Sequence, residues 1–389
     1  AAALTASGRR CAYLGTLGSG LPGAVLPAAH TTPDAVTLQR QLARFRDAGA
    51  QAGAMEVSSR ALGQQRCAGV RFQIAAFTNL SRDHLDYHAD MRAYGLAKSA
   101  LFDWPTLAAR VINVDDEFGA ELAARLPANA GLIVTGRRAD PAQKFPGARC
   151  VRALRWTHAA EGVEIALDTS WGPASLRSRL LGDFNVDNLL TVLGVLLAMG
   201  IELAPACAAL AACSAPPGRM QVAGGGALPL AIVDYAHTPD ALEQALRAAR
   251  AHCRGRLLCV FGCGGERDRG KRAQMGRVAE SLADVLYITD DNPRGEDPQR
   301  IVADILAGLR QGARAQVQHD RAAAIAAAIA AAGAGDVVLV AGKGLGRPVD
   351  EIGRGASKEQ EARRRPRPLG EGAPDLEQRR LALDLVDGS

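Results

Sequence analysis

Between Met55 and Lys98 the chain brings a carboxylate, an imidazole and a lysine into close order: Glu56 in AMEVSS, His84 in FTNLSRDHLDYH and Lys98 in AYGLAKSALF. Each stands where an apolar run gives way to a polar one, the expected end of an element in a layered α/β fold. Magnesium takes hard oxygen ligands and commonly keeps waters and substrate phosphates in its shell. Groups of this kind at neighbouring element ends could hold such an ion and leave room for a nucleotide. Singly, none is diagnostic. A Glu after an apolar strand is more often a solvated strand end. A Lys in MRAYGLAKSALF can be a solvated helix face, although the helical spacing of the apolar residues there sets Lys98 at the edge of a packed one.

Further candidates lie on both sides of this run. Thr31-Thr32-Pro33-Asp34 reads as a helix N-cap with Pro at an early helical position. Asn185 reads as a cap on the Leu-rich helix that follows it. In DYAHTPD, Asp234 is a strand-end carboxylate, while Thr238 as cap and Pro239 in the first turn account for the rest of that stretch. GCGGERDRGKR is a glycine-rich loop running into a basic cluster. Glycines let backbone N–H groups approach an anion, but such a loop alone is a weak signal. DDNPR follows, Asp290 to Arg294, and Asn-Pro-Arg alone could simply be a turn.

The elements that must position these groups alternate. VINV (Val111 to Val114) and GLIVTG (Gly131 to Gly136) are short strands between Ala/Leu/Arg-rich helical segments, which predicts α/β layering with a largely parallel sheet. LDTSWGPASLRSRLLG reads as a hairpin around a Trp-Gly-Pro turn, and FNVDNLLTVLGVLLAMG as a buried helix. Pro216-Pro217-Gly218 breaks the pattern and is the expected domain boundary. A second α/β series follows: AIVDYAH, a helix from Pro239, LLCVFGCGG, a helix, VLYITDD, a helix, RAAAIAAAIAAAGAG as an Ala-rich helix, and DVVLVAGKG. Ligands of open α/β sheets gather at the carboxyl ends of such strands. The expected domains are 1–216, 217–345 and a tail, 346–389, whose composition favours disorder.

Bulk properties exclude several classes. At 389 residues the chain is long for one core; 48% hydrophobic and 22% charged residues are ordinary for a globular protein. The net charge of +5 is scattered, and 4% aromatics provide no stacking platform, so nucleic acid is not the expected partner. A modest positive balance suits a polyanionic small substrate. The eight cysteines show no C-x-x-C pair; Cys259 and Cys263 read as small buried residues and the compartment as reducing and cytoplasmic. LLTVLGVLLAMG is too short to span a membrane, and the first residues do not read as a charged n-region, an h-region and a cleavage site in sequence.

As an ordered set these motifs resemble the Mur ligases, ATP-dependent enzymes that add amino acids to the peptidoglycan precursor. The likeness runs from about Cys11 to Gly344. It implies a central ATPase-type parallel-sheet domain followed by a Rossmann-like C-terminal α/β domain, with ATP as co-substrate and Mg2+ as cofactor. It implies that Glu56 and His84 bind magnesium and that Lys98 is carbamylated and helps hold the metals; His84, in the Asp-His pair, is favoured over His88. Thr31, Thr32, Ser58, Gln64 and Arg66 match contacts to the muramyl-peptide substrate. Asn185 and Asn188 match the asparagines that reach toward adenine, Arg219 meets the γ-phosphate, and Asp234 and His237 lie near the nucleotide. Asp-Asn-Pro-Arg marks the branch that adds meso-diaminopimelate rather than lysine: an Arg can fork onto the second carboxylate, which lysine lacks. Arg267, Asp291, Asn292, Arg294 and Gly342 match that pocket. The implied partners are therefore UDP-N-acetylmuramoyl-L-alanyl-D-glutamate and meso-diaminopimelate, with no nucleic acid, no membrane insertion and a monomeric protein.

The pattern departs from the family in two places. Its phosphate loop, G-T-N-G-K-T, and its UDP-binding domain would lie upstream of residue 1; the Gly270-Lys271 and Gly342-Lys343 pairs are not in P-loop patterns. Where the family continues Ala-Gly-Lys-Gly with His-Glu, Leu345 and Gly346 stand here. Two expectations follow: a diaminopimelate ligase, with negligible activity in the 389-residue chain by itself, or a non-catalytic fragment that binds substrate without turnover. A folylpolyglutamate synthetase-like ligase is the alternative within the superfamily, and it has no reason to carry Asp-Asn-Pro-Arg.

Overall fold

A computed structural model of the chain describes residues 1–80, 89–127, 131–138, 140–159, 162–310 and 315–342. The expected ligand His84 and the tail from 346 lie outside the described residues. Contacts divide the molecule into two units. The first is Ala1–Thr157, Val163–Ser178 and Asp183–Cys213; the second takes His158–Gly162, Arg179–Gly182 and the chain from Ser214 onward.

The first unit opens with α1 (Ala2–Ala6), β1 (Cys11–Gly15), β2 (Gly18–Leu21), β3 (Ala24–Leu26), α2 (Ala35–Asp47), β4 (Ala52–Met55) and α3 (Ser59–Gly63). Its strands form a four-stranded sheet in the order β3-β2-β1-β4, with β1 and β4 parallel and the β1-β2-β3 meander antiparallel. Sequence pattern missed this meander, because Gly15, Gly18, Gly20 and Gly23 read as loop. Packing requires the first three: a Cβ on Gly20 would stand 2.2 Å from the Ala24 carbonyl oxygen. The chain continues through β5 (Ile74–Phe77), α4 (Met91–Ser99), β6 (Ala109–Asn113), α5 (Glu117–Arg125), β7 (Leu132–Gly136), α6 (Pro141–Lys144), β8 (Arg149–Ala159), β9 (Gly162–Thr169), β10 (Ala174–Ser178), α7 (Asp183–Ala198) and α8 (Leu203–Ala211). A second sheet runs β10-β9-β8-β7-β6-β5, parallel from β5 to β8 and antiparallel between β9 and β10. The expected hairpin is thus present. So is the buried helix: α7 packs on β5, β6 and β7 and buries Val186, Leu189, Leu190, Leu193, Leu196 and Leu197.

The second unit contains β11 (Gln221–Gly224), β12 (Leu230–Asp234), α9 (Pro239–Ala251), β13 (Leu257–Phe261), α10 (Gly270–Leu282), β14 (Val285–Ile288), α11 (Pro298–Leu306), β15 (Ala315–Val317), α12 (Arg321–Ala331) and β16 (Val337–Ala341). The sheet order is β11-β12-β16-β13-β14-β15, parallel except for β11. The unbroken apolar run of β13 follows from burial on both faces. Leu257, Cys259 and Phe261 join the core of α9, α10 and α11; Leu258 and Val260 join Ala324, Ile325 and Ala328 of α12. Alanines on that face of α12 let the helix lie against the sheet.

All eight cysteines are free, six of them buried. Burial pushes every thiol up, Cys259 to about 12 and Cys263 to about 11. The three tryptophans, Trp104, Trp156 and Trp171, all belong to the first unit. Among the described residues no helix is long and apolar enough to cross a membrane.

Candidate active site

Glu56 leaves the end of β4 beside β1, and its side chain is exposed yet organised. Its Oε1 accepts from the Tyr13 hydroxyl and, at 3.2 Å, from Thr16 N–H; Thr16 Oγ1 donates to Oε2 at 2.7 Å and lies 3.0 Å from Thr31 Oγ1. A solvated strand end does not gather three donors. Thr32 is 1% exposed: its hydroxyl donates to the Glu56 carbonyl at 2.9 Å and accepts from Ser58 N–H at 3.1 Å, so it cross-links the segment after β4. It does not cap α2. That cap is Asp34, whose carboxylate takes two N–H donors, from Val36 and Thr37, while Pro33 precedes the helix. Ser58 caps α3 through Ala61 N–H. Beyond α3, Arg66 donates to the Thr32 carbonyl at 2.9 Å and its Nε donates to Gln64 Oε1 at 2.9 Å. Thr31, Thr32, Glu56, Ser58, Gln64 and Arg66 therefore form one connected patch. Tyr13 and Thr16 belong to it and were not singled out from sequence, since Gly-Thr-Leu-Gly carries no charge signature. Lys98 stands near the end of α4, which packs on α3; its Nζ lies 4.8 Å from the Tyr94 ring centroid.

At the carboxyl ends of β6 and β7 a second cluster surrounds the start of α7. The helix begins at Asp183, so Asn185 is a first-turn residue rather than its cap. Asn188 Nδ2 donates to Asn185 Oδ1 at 3.1 Å, one turn along the same face. Arg137 donates to Asp187 at 2.7 Å and to Asp183 at 3.2 Å, with its guanidinium 4.8 Å over the Trp156 ring. Asp115 accepts from Arg137 N–H and Arg138 N–H. Burial raises the Asp187 carboxyl even though Arg137 opposes the shift. An Arg-Arg pair just after a strand was the available signal for this cluster.

In the second unit every candidate lies at a carboxyl end of the parallel sheet. Asp234 ends β12 and accepts from Met220 N–H and Ala236 N–H, both at 2.9 Å; burial raises its pKa against these bonds. Arg219 is exposed with its guanidinium 4.7 Å over the Tyr235 ring. His237 stacks edge-on against Tyr235 at 4.8 Å, and its carbonyl accepts from Lys271 Nζ. Thr238 caps α9, with Pro239 opening it. The glycine-rich loop after β13 and the Asp-Asn-Pro-Arg loop after β14 lie against each other: Gly265 N–H donates to the Asn292 carbonyl at 2.9 Å and Arg294 to the Gly265 carbonyl at 3.2 Å. Arg267, Asn292 and Arg294 are exposed there; Asp291 is half-buried, its Oδ2 facing the α-carbon side of Gly342. Gly342 itself has φ +97°, a conformation that favours glycine. Arg321 supports this strand end from behind, donating to the Ala341 carbonyl at 2.9 Å.

Among the described residues four non-glycines have left-handed backbone: Gln65, Met220, Glu266 and Arg294. Each is a candidate residue or adjoins one, and strain of this kind collects at functional sites. No group of three His, Cys, Asp or Glu among the described residues is arranged for a metal. The donor set around Glu56 fits a hydrated magnesium ion better than a closed metal cage, because one carboxylate with spare acceptor capacity on Oε2 suits an ion that keeps its waters.

The chain is similar to known proteins along both units. Residues 1–196 match the family description "Mur ligase middle domain", and residues 218–344 match "Mur ligase, glutamate ligase domain". The UDP-N-acetylmuramoyl-L-alanyl-D-glutamate–2,6-diaminopimelate ligase of Ectopseudomonas mendocina (strain ymp) is 53% identical over 344 residues, 88% of this chain and 69% of that protein. The ligase of the same name from Pseudomonas aeruginosa is 50% identical over 344 residues, with the same two shares, 88% and 69%. A solved structure of a ligase of that name is similar at TM-score 0.69 and 38% identity, covering 88% of this chain and 69% of that one. The Mycobacterium tuberculosis folylpolyglutamate synthase complexed with ADP and AMPPCP has TM-score 0.65 at 18% identity, over 94% of this chain and 88% of that one, a likeness of fold alone.

Proposed function

This chain belongs to the Mur ligase family, and from that premise we propose that it joins meso-diaminopimelate to UDP-N-acetylmuramoyl-L-alanyl-D-glutamate with hydrolysis of ATP. The observation that carries the choice of amino acid is the pair of loops after β13 and β14, which turn Arg267, Asn292 and Arg294 outward at adjoining strand ends. A fork of guanidinium donors matches a carboxylate bidentately, and the distal carboxylate is what distinguishes diaminopimelate from lysine.

The γ-carboxylate of the D-glutamate attacks the terminal phosphorus of ATP, ADP leaves, and an acyl phosphate forms. The amino group of diaminopimelate then attacks the acyl carbon, and phosphate departs as the amide closes. In this reading Thr31, Ser58, Gln64 and Arg66 hold the muramyl peptide, with Thr32 fixing the segment between them through its buried hydroxyl. Asn185 and Asn188 take the adenine, Arg219 the γ-phosphate, and Asp234 with His237 the nucleotide. Arg219 is suited to that role because cation–π contact with Tyr235 aims its guanidinium without consuming its donors. Glu56, His84 and a carbamylated Lys98 would hold Mg2+, which when bound screens the phosphate charge. Gly342 and Asp291 complete the amino-acid pocket. The reaction draws on ATP and a nucleotide-linked sugar, and eight free thiols agree with a reducing, cytoplasmic location; we take the protein to be a monomer.

The test is ligation by the full-length protein, given ATP, magnesium and the UDP-linked dipeptide with either meso-diaminopimelate or L-lysine, the product identified by mass. Diaminopimelate should be incorporated strongly in preference to lysine. Equal use of both, or phosphate release independent of either, would remove the reading.

A further inference from the structure

Neither loop of the amino-acid pocket is held by its own sequence alone. Arg272, the third residue of α10, is wholly buried, 0% exposed. Its guanidinium forks onto Glu296, with Nη1 to Oε1 at 2.8 Å and Nη2 to Oε2 at 2.7 Å, and Nη1 also reaches Asp304 of α11 at 2.8 Å. Nη2 lies 3.4 Å from the Gly264 carbonyl. Glu296 stands two residues beyond Arg294, and its Oε2 accepts from Glu266 N–H, next to Arg267, at 3.2 Å. One carboxylate, its side chain 10% exposed, therefore ties the backbone beside Arg267 to the segment carrying Arg294. Both junctions are strained: Glu266 has φ +51° and Arg294 φ +52°. Such conformations persist where the surroundings over-determine them. The loops also leave no slack, since a Cβ on Gly265 would collide with the Pro293 carbonyl oxygen.

We propose that Arg272 and Glu296 are positioning residues that set the spacing of Arg267 and Arg294, and thereby the selection of diaminopimelate over lysine, without touching substrate. This rests on the diaminopimelate reading above. A buried pair is weak evidence of stabilisation, and fixing one conformation is the better-attested use of such a pair. Arginine's planar fork makes this geometry; a lysine would supply charge without it. The favourable charge environment is visible in Glu296, whose carboxyl Arg272 holds down at about 2.

The experiment is steady-state ligation by the full-length protein and its Glu296→Gln, Arg272→Lys and Asp304→Asn variants, with diaminopimelate and lysine varied separately. Glu296→Gln keeps the shape of the side chain, and circular dichroism checks that each variant is folded. Glu296→Gln and Arg272→Lys should raise the KM for diaminopimelate by about tenfold or more, with kcat at saturation and the KM for ATP unchanged and lysine use no worse. Asp304→Asn removes the other partner of Arg272 but not the link between the loops, and should leave the KM for diaminopimelate unchanged. Equal effects of Asp304→Asn and Glu296→Gln, or parallel losses for ATP and diaminopimelate, would reduce Arg272 to a structural ion pair and overturn the inference. Wild-type protein that uses lysine as well as diaminopimelate would instead defeat the reading beneath it, an outcome visible before any variant is made.

Discussion

Thr16 does for Glu56 what a supporting residue does for a metal ligand: it fixes the carboxylate by one backbone and one hydroxyl bond. Thr16→Val should keep the fold and raise the magnesium concentration needed for half-maximal ligation, by about tenfold if the usual cost of losing a supporting partner applies. A magnesium titration of product formation checks it, and an unchanged midpoint would return Glu56 to the role of a strand end. Lys98→Ala should lower ligation on the order of a hundredfold or more, and short carboxylic acids should restore part of it if a carbamate is what the reaction uses. Glu296 gives a pH prediction. Its carboxyl is lowered from 4.5 to about 2 in the fold, so its contribution to stability is complete above pH 4.5 and disappears as pH falls from there through 2. The stability gap between wild type and Glu296→Gln should therefore be constant near neutrality and close across that acid window in urea melts. What sequence reached at this scale were residues with charge or motif signatures, such as Glu56, Arg66 and the Asp-Asn-Pro-Arg run. Thr16, Trp156 and Arg272 escaped it because their importance lies in partners such as Glu56, Arg137 and Glu296, 40, 19 and 24 positions away.

Among elements, α7 owes its seat on β6 to Gly194, where a Cβ would come 2.7 Å from Val111 Cγ1. Alanine there gains helix propensity of about 1 kcal/mol but overpacks a β-branched neighbour at a cost of about 1–3 kcal/mol, so Gly194→Ala should lower the melting temperature. A rise would mean that Val111 yields freely. For α9, Thr238 accepts from Ala241 N–H, and Thr238→Ala should cost about 1 kcal/mol in denaturant unfolding. Thr238 was legible because a Thr-Pro pair before an amphipathic run has few other uses. The Thr31-Thr32-Pro33-Asp34 run does supply the cap of α2, but from Asp34, its last residue, and Asn185 falls inside the first turn of α7 rather than capping it. Thr32 was drawn to the Glu56 and Ser58 backbone, leaving α2 to Asp34. The hairpin of β9 and β10 was plain from alternation, whereas the glycine-spaced meander of β1 to β3 and the three-residue β15 offered no period to read.

For the whole molecule, the proposed amino-acid pocket draws on residues of the unit without tryptophan. Diaminopimelate at about 100 times its dissociation constant should stabilise that unit by about 2.7 kcal/mol, seen in far-ultraviolet circular dichroism and absent with lysine. The parallel α/β character of both units was readable because buried strands such as β13 write continuous apolar runs; the interleaving of β16 between β12 and β13 was not, because strand order depends on contacts distant in sequence. The cysteines add a consequence of their own. Alkylating reagents need the thiolate, which burial denies to Cys11 and Cys67 in the first unit and to Cys259 and Cys263 in the second. Each is labelled only during the moments when its surroundings come apart. A timed pulse of iodoacetamide, read peptide by peptide, would turn these four silent side chains into separate clocks of local opening, one pair ticking for each half of the protein.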